Sequence, residues 1–353
     1  MKKIGLVNYI SSKILEKEKK YFSKNSWFLV CHKSELKNFN DYKTIEIFET
    51  PIVIYNFKGE FRAFINVCPH RGSKIKIEKR SNDIFSCIYH GWCFNKSGKF
   101  ISAPYQKQAF DKHQLENIKL KELKVSFCGD FIFLTLSKNS QSLINYLGEK
   151  FEVLKTLSIN FSQLIYSQNY TWKCNWKIAV ENSIDEYHGP ILHRNTFKRV
   201  LDLKPNYNSN KMILSMSMPL AENYLSSFSK IKNLFNKKNL NNDYNHHLIF
   251  PMSTVATTMG IFNFIQTYIP VSESLTNITT DIFICERVNN DLKNQTLIDY
   301  LIDSSKKFND EVFAEDKEVC EDMFANMKNK FFNYNLGKFE SRIKYFRNLL
   351  QNF

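Results

Sequence analysis

The sequence contains 353 residues, of which 43% are hydrophobic, and it carries a formal net charge of +14 at pH 7. A chain of this length can bury more than one sizeable core, and we expect two domains. No window approaches ~18 consecutive apolar residues, which excludes a typical membrane-spanning helix. The basic residues are interleaved with acids and form no groove-reading motif, so a lysine-rich surface explains the charge, and neither nucleic acid nor membrane is expected as a partner.

The eight cysteines are spread along the chain rather than packed into a short segment. Such scatter argues against a disulfide scaffold and for reduced thiols or metal ligands. The apolar run that follows Lys3 is interrupted at Ser11 and Lys13, and no small-residue cleavage site follows, which is not typical of a signal peptide. We therefore expect a cytoplasmic protein.

In chain order, the pattern predicts an exposed helix over residues 12–23 and then short β-rich runs separated by turn residues. The predicted strands are Trp27–His32, Thr44–Phe48, Ile52–Phe57, Phe61–Val67, Ile84–Ile88 and Phe131–Leu136. This spacing predicts a small all-β domain over residues 26–140, preceded by an N-terminal helical segment over residues 1–25.

Beyond residue 140 the pattern mixes helices and strands. The predicted helices are Ser140–Leu157, Trp176–Tyr187, Gln295–Lys328 and Phe339–Leu350, and the predicted strands are Lys211–Met218 and Ile261–Ile269. Such a mixture favours an α+β domain with an antiparallel sheet over residues 141–353.

The strongest motif in the β region is a pair of short loops, each with one cysteine and one histidine. Cys68 and His70 form Cys-x-His, and Cys87 and His90 form Cys-x2-His. A Rieske centre needs two thiolates on one iron and two neutral imidazoles on the other. Cys68 and Cys87 would therefore hold the inner iron of a [2Fe–2S] cluster, and His70 and His90 the outer iron.

A structural zinc site is an alternative, because two cysteines and two histidines also suit tetrahedral zinc. Zinc fingers generally pair Cys with Cys and His with His, whereas here the two types alternate. With Arg71-Gly72 and Gly91-Trp92 completing the loops, the segment resembles the Rieske domain of the ring-hydroxylating oxygenase family. Rieske ferredoxins are similar over this stretch, so an electron-transfer protein without oxygenase activity stays the alternative function.

A second cluster surrounds His188 and His193. Helical spacing predicts that Asp185 and His188 share a helix face, and a Gly-Pro pair ahead of His193 should turn the chain back toward it. Two imidazoles and a carboxylate form the facial triad of mononuclear Fe(II) oxygenases. His188 and His193 would supply two of these ligands, whereas His246 and His247 are expected to be ordinary core or surface residues.

The Asp-x2-His-x4-His spacing, with Asn-Trp-Lys and Glu-Asn upstream, resembles the catalytic domain of the same family, and the resemblance extends over about residues 27–321. It implies that a carboxylate from a late helix completes the iron site, for which we choose Asp316 over neighbouring acids such as Glu315. It also implies that Asp185 bridges an iron-ligating histidine and a cluster histidine of the neighbouring subunit.

By the same resemblance, the protein is a terminal oxygenase that binds a Rieske [2Fe–2S] cluster and mononuclear Fe(II) and uses dioxygen to hydroxylate or oxidatively demethylate a small organic substrate. A head-to-tail homotrimer would bring one subunit's cluster to the next subunit's iron. A separate ferredoxin or flavin reductase would supply electrons, because the sequence has no Gly-x-Gly-x-x-Gly fingerprint. The apolar and aromatic content of residues 212–269 suits an aromatic substrate or a quaternary amine equally well.

Overall fold

The computed structural model describes residues 7–201, 204–229, 231–236, 240–288, 294–327, 329 and 335–351. The first residues of the N-terminal segment and Lys328, which the sequence predictions included, lie outside these ranges. The chain divides into two compact units, one formed by Met1–Phe22 with Ile144–Phe353 and the other by Ser23–Leu143. None of the described helices combines the length and the apolar character needed to cross a bilayer.

Helices and antiparallel strands both contribute to the structure, which confirms the predicted α+β class. The helices are α1 (Val7–Ile10), α2 (Ser12–Asn25), α3 (Gln106–Ala109), α4 (Lys112–Leu115), α5 (Leu143–Leu147), α6 (Phe151–Ser158), α7 (Trp176–Ser183), α8 (Gly189–Leu192), α9 (Glu222–Phe228), α10 (Gln295–Asn326) and α11 (Ser341–Leu350).

The strands are β1 (Phe28–His32), β2 (Asp41–Ile47), β3 (Thr50–Phe57), β4 (Glu60–Ile65), β5 (Arg80–Asn82), β6 (Cys93–Phe94), β7 (Phe100–Ser102), β8 (Glu122–Cys128), β9 (Phe131–Thr135), β10 (Gln163–Trp172), β11 (Asn206–Tyr207), β12 (Ile213–Pro219), β13 (Asp243–Ile249), β14 (Ser253–Thr258), β15 (Phe262–Ser272) and β16 (Leu275–Ile284).

In the unit Ser23–Leu143, a sheet has the strand order β1-β9-β8-β4-β3-β2-β5, and β6 pairs with β7. Its aromatic core includes Tyr55, Phe64 and Phe85 and extends to Cys68 and Cys87. The cysteine-bearing loops follow β4 and precede β6, so the sheet and its core support both of them.

The prediction of a strand at Ile84–Ile88 is wrong. The chain there forms an irregular loop with only an isolated bridge between Ser86 and Cys93. The N–H of Cys87 donates to the carbonyl of Trp92 at 2.9 Å. Because the segment closes on itself in this way, its backbone groups are not available for a ladder in the main sheet.

In the other unit, the described strands form an antiparallel sheet in the order β10-β16-β15-β14-β13-β12-β11. Its register pairs Met216 with His246 between β12 and β13, and Thr254 with Gln266 between β14 and β15. Because successive side chains of a strand point to opposite faces, these positions define which residues face the helices that carry the site.

Helix α2 is not the exposed helix that the sequence pattern predicts. Its residues Leu15, Glu18 and Phe22 are buried. Phe22 packs edge-to-face on Trp176 of α7 and on Phe250, with ring centroids 5.7 and 5.6 Å apart. The helix therefore buries one face against the helix that leads into the second histidine cluster.

Candidate metal centres

The two cysteine loops have the same backbone construction. The N–H of Gly72 donates to the carbonyl of Cys68, and the N–H of Gly91 donates to the carbonyl of Cys87, both at 2.9 Å. The two glycines have φ of 78° and 66°, in the left-handed region that favours glycine. A Cβ at Gly91 would also lie 3.1 Å from Cγ of Pro104. Each loop is therefore a tight turn that begins at a cysteine and contains a histidine.

The structure brings the two loop histidines together over the buried cysteines. The ring centroids of His70 and His90 are 4.7 Å apart, and the indole of Trp92 stacks on His70 at 4.6 Å. The Nδ1 atoms of both histidines are buried without a hydrogen-bond partner among the described residues. Burial raises the pKa of the Cys68 thiol to about 11. Two buried sulfurs and two unpartnered imidazole nitrogens are a donor set that fits a Rieske cluster.

The second histidine cluster forms a separate donor set in the other unit. The Nε2 atoms of His188 and His193 are 3.2 Å apart. Oδ1 of Asp316, on α10, lies 3.5 Å from Nε2 of His188 and 3.1 Å from Nε2 of His193. One donor atom from each residue lies within 4.8 Å of the other two. Two imidazoles and a carboxylate thus converge as a facial triad requires.

Carboxylates fix the far side of both imidazoles. Nδ1 of His188 lies 3.0 Å from Oδ2 of Asp185, and Nδ1 of His193 lies 2.6 Å from Oε2 of Glu315. Each imidazole donates an Nδ1–H to a carboxylate and presents the lone pair of Nε2 to the centre of the site. Oδ1 of Asp316 makes no hydrogen bond within the described structure. Three lone pairs that face one another repel unless a proton or a metal ion lies between them, so the residues fit a divalent metal ion.

The pKa values of the site reflect the charges that surround it. Burial lowers the pKa of His188, but the adjacent carboxylates of Asp185 and Asp316 outweigh burial and raise it to about 9. Burial raises the pKa of Asp316, but His188 and His193 outweigh burial and lower it to about 2. The carboxylates thus favour positive charge at the histidines, as a site for a cation requires.

Helix α7 ends earlier than the sequence predicts, at Ser183 instead of Tyr187. Oδ1 of Asp185 accepts the N–H of Tyr187 at 2.8 Å, which competes with continuation of the helix. His188 therefore follows a turn, and Asp185 reaches it through this turn rather than along a helix face. A second short helix, α8, then carries the chain to His193, whose N–H donates to the carbonyl of Gly189 at 3.0 Å.

Buried polar contacts hold α7 in place. Nζ of Lys177 lies 2.7 Å from Oε1 of Glu18 on α2, and both side chains are almost fully buried. Glu181 accepts two hydrogen bonds from Arg347 of α11, at 2.8 and 2.7 Å, and a third from the hydroxyl of Tyr9 at 2.6 Å. Elements from distant parts of the sequence thus fix the helix that precedes the histidine cluster.

The histidine cluster borders a cavity between the helices and the sheet. Residues 212–269 contribute Met216, Met218, Tyr244, His246, Gln266 and Tyr268 to its lining. The cavity also contacts Glu186 and Arg342, which form a buried ion pair. The sequence pattern predicts no role for Glu186 or Arg342, and it indicates Glu315 only as an alternative ligand. Pairing between residues far apart in sequence leaves no local signal, so only the fold reveals these roles.

The chain matches two protein-family descriptions: the Rieske [2Fe-2S] domain over residues 26–124 and the ring hydroxylating alpha subunit (catalytic domain) over residues 163–353. The chain therefore belongs to the ring-hydroxylating alpha subunit family. This confirms the resemblance seen in the sequence and the two predicted cofactors, a Rieske [2Fe–2S] cluster and mononuclear iron, and it disfavours the zinc alternative.

Curated relatives include both dioxygenases and monooxygenases. The anthranilate 1,2-dioxygenase large subunit of Acinetobacter baylyi is 27% identical over 196 residues, which cover 53% of this chain and 41% of the relative. The carnitine monooxygenase oxygenase subunit of Acinetobacter pittii is 34% identical over 191 residues, which cover 52% and 51% of the two chains. The chain spans about half the length of the curated relatives that it matches.

Solved structures show the same fold over nearly the whole chain. The quaternary ammonium Rieske monooxygenase in complex with L-carnitine superposes with a TM-score of 0.78 at 23% identity, covering 98% of this chain and 94% of that one. Naphthalene 1,2-dioxygenase from Rhodococcus superposes with a TM-score of 0.76 at 17% identity, covering 98% and 93%. At these identities the comparison establishes the architecture only.

Proposed function

We propose that this chain is the terminal oxygenase component of a Rieske non-haem iron system, which uses dioxygen to hydroxylate or oxidatively demethylate a small organic substrate. The observation that carries the proposal is the convergence of His188, His193 and Asp316 within 4.8 Å of one another. A pure electron carrier needs only the cluster, so this second donor set favours an oxygenase over an electron-transfer protein.

Within this proposal, residues 26–140 form the Rieske domain and residues 141–353 the catalytic domain, with residues 1–25 as an N-terminal helical segment. Cys68 and Cys87 hold the inner iron of the cluster, and His70 and His90 hold the outer iron. The unpartnered Nδ1 atoms of both histidines support this assignment.

His188, His193 and Asp316 hold the mononuclear iron, which when bound supplies the redox chemistry for dioxygen activation. Asp185 and Glu315 act on the rings: each accepts an Nδ1–H and so fixes the orientation and tautomer of its histidine. The apolar part of the cavity lining keeps water away from the site and holds the substrate beside it.

Electrons come from a separate ferredoxin or flavin reductase in this proposal, and the chain acts as a homotrimer or a multiple of it in the cytoplasm. A solved quaternary ammonium Rieske monooxygenase is described by its inter-subunit electron transfer, which supports electron passage between subunits here. Asp185 would then connect His188 with His90 of the neighbouring subunit. The named substrates of relatives, anthranilate and carnitine, keep both an aromatic compound and a quaternary amine as candidates.

Metal and sulfide analysis after anaerobic purification tests the proposal. An oxygenase should contain roughly three irons and two acid-labile sulfides per chain and show the spectrum of a Rieske cluster. Oxygen consumption should require a reductase, and its rate should rise when a compound that the enzyme oxidises is added. Zinc without labile sulfide would contradict the cluster assignment, and a protein with only two irons and no oxygen consumption would be an electron carrier.

A further inference from the structure

The cavity that borders the histidine cluster contains polar groups that the proposed mechanism does not use. The guanidinium of Arg342 is 1% exposed and lies against the cavity. It forms an ion pair with Glu186, and its NH1 group is 3.0 Å from Nδ1 of His246. Its Nε–H has no acceptor among the described residues. The Nε atom is itself buried, so a ligand in the cavity cannot reach this donor, and Arg342 acts on the cavity through its contact with His246.

The contact with Arg342 also determines which nitrogen of His246 carries a proton. Arginine can only donate, so Nδ1 of His246 must accept. Burial lowers the pKa of His246 to about 3, which keeps the ring neutral at ordinary pH. A neutral ring that accepts at Nδ1 carries its hydrogen on Nε2. The described structure offers this Nε2–H no acceptor, although the ring lines the cavity.

Gln266 adds a second donor to the lining. Its Oε1 accepts hydrogen bonds from the hydroxyls of Thr254 at 3.0 Å and Tyr268 at 2.9 Å. These two bonds orient the amide and leave its NH2 group without an acceptor among the described residues. His246 and Gln266 therefore both present unused donors to the cavity, and neither of them presents an unused acceptor.

We propose that His246 and Gln266, with Arg342 fixing the tautomer of His246, form a recognition site for an acidic oxygen group, so that the substrate is a small molecule with a carboxylate. The carboxylate accepts hydrogen bonds from His246 and Gln266, and the rest of the molecule lies against the apolar lining near the iron site. This inference deepens the proposed oxygenase function and rests on it, because it assigns the substrate class of the same cavity.

The neighbouring residue His247 provides a matched control. It lies on the same strand, β13, is equally buried, and uses its Nδ1 in a hydrogen bond with Ser215 at 2.8 Å. His247 is not among the residues that line the cavity. His246→Leu and His247→Leu therefore remove the same ring from the same strand, on opposite faces of the sheet.

The test measures equilibrium binding by calorimetry to the protein loaded with both metals. The probes are benzoate, 3-methylbenzoate and 4-(trimethylammonio)butanoate, each beside its neutral amide. At least one acid should bind about tenfold or more tightly than its amide, because a hydrogen bond to a charged group is worth more than one to a neutral group. His246→Leu should weaken that binding by about tenfold, His247→Leu by less than about twofold, and His246→Gln should recover part of the loss.

If His246→Leu fails to fold or to bind metal, Gln266→Met takes its place in the test, because methionine is similar in size to glutamine but has no hydrogen-bond donor. Equal binding of acid and amide, no binding of any acid in the panel, or an equal loss in His247→Leu overturns the inference. Oxygen consumption coupled to a purely cationic or neutral compound would also overturn the inference, but it would leave the proposed oxygenase function intact. Tight acid binding by a metal-loaded protein that never consumes oxygen would keep the carboxylate site and overturn the oxygenase function.

Discussion

The two proposed metal centres are built in different ways. The proposed cluster donors come from two tight turns within residues 68–91, each closed by a hydrogen bond from a glycine N–H to a cysteine carbonyl. The proposed mononuclear donors come from the segment after α7, which includes α8, and from α10, more than a hundred residues later in the sequence. A site made from local turns depends on backbone conformation, whereas a site made from distant helices depends on packing between them and on side chains that orient the ligands.

The largest effect should follow loss of a mononuclear ligand. Asp316→Ala removes the only carboxylate in the donor set of His188, His193 and Asp316, so this iron and all substrate-dependent oxygen consumption should be lost. The cluster spectrum should stay unchanged, because its donors belong to the other compact unit. Iron analysis with visible spectroscopy measures both effects.

Asp310→Ala is the control for this change. Asp310 lies on the same helix, but its carboxylate accepts hydrogen bonds from Tyr166 and Tyr170 instead of facing the histidines. Full iron content in Asp316→Ala, or iron loss in Asp310→Ala, would show that the ligand assignment is wrong.

Asp185→Asn should separate metal binding from electron delivery. The carboxylate of Asp185 accepts both the ring N–H of His188 and the backbone N–H of Tyr187. Asparagine has one acceptor oxygen for these two donors and no charge. Both metals should remain, and turnover should fall by about 100-fold. Single-turnover reoxidation of the reduced cluster, with substrate and dioxygen present, measures the step; a wild-type rate would mean that Asp185 is not on the electron path.

Glu315→Gln should have a smaller effect that falls on iron affinity. Oε2 of Glu315 lies 2.6 Å from Nδ1 of His193, and the amide keeps an acceptor but loses the charge. Changes to groups that orient metal ligands cost about 10- to 100-fold in affinity or activity, and the lower part of that range is expected here. Iron titration of the metal-free protein gives the affinity. Glu311→Gln, on an exposed part of α10, is the control and should bind iron as the wild type does.

Glu18→Gln should have the smallest effect on chemistry and a clear one on stability. It breaks the buried ion pair with Lys177, and loss of one partner from such a pair typically lowers the free energy of unfolding by about 3–5 kcal/mol. Glu152→Gln breaks the exposed pair with Lys155 on α6 and should cost less than about 1 kcal/mol. Denaturant unfolding of both variants gives the comparison. Equal losses would mean that the buried pair does not stabilise α7.

The sequence revealed most where the relevant residues are near one another. The cluster loops are apparent because Cys68, His70, Cys87 and His90 have short, regular spacing and adjacent glycines that the turns require. His188 and His193 are apparent for the same reason. Asp316 had to be chosen from several acids of one helix. A sequence pattern cannot tell which of two neighbouring carboxylates will face the metal and which will accept a hydrogen bond from a histidine ligand.

Other features could not be predicted because polar residues occupy positions that the fold buries or pairs. Strand β10 is partly exposed and rich in polar side chains, and its pairing with β16 comes from long-range hydrogen bonds that no local pattern shows. His246 looks like an ordinary isolated histidine in the sequence. It becomes a candidate for substrate recognition only when α11 brings Arg342 beside it.

The contacts of α7 also bear on the order in which the protein can mature after translation. Residues 23–143 are consecutive, so the unit that carries the cluster is available as soon as that stretch has left the ribosome. Helix α7 obtains its partner Arg347 only when nearly all of the described chain has been synthesised. Insertion of the cluster can therefore begin on a nascent chain, whereas the mononuclear iron is expected to enter last.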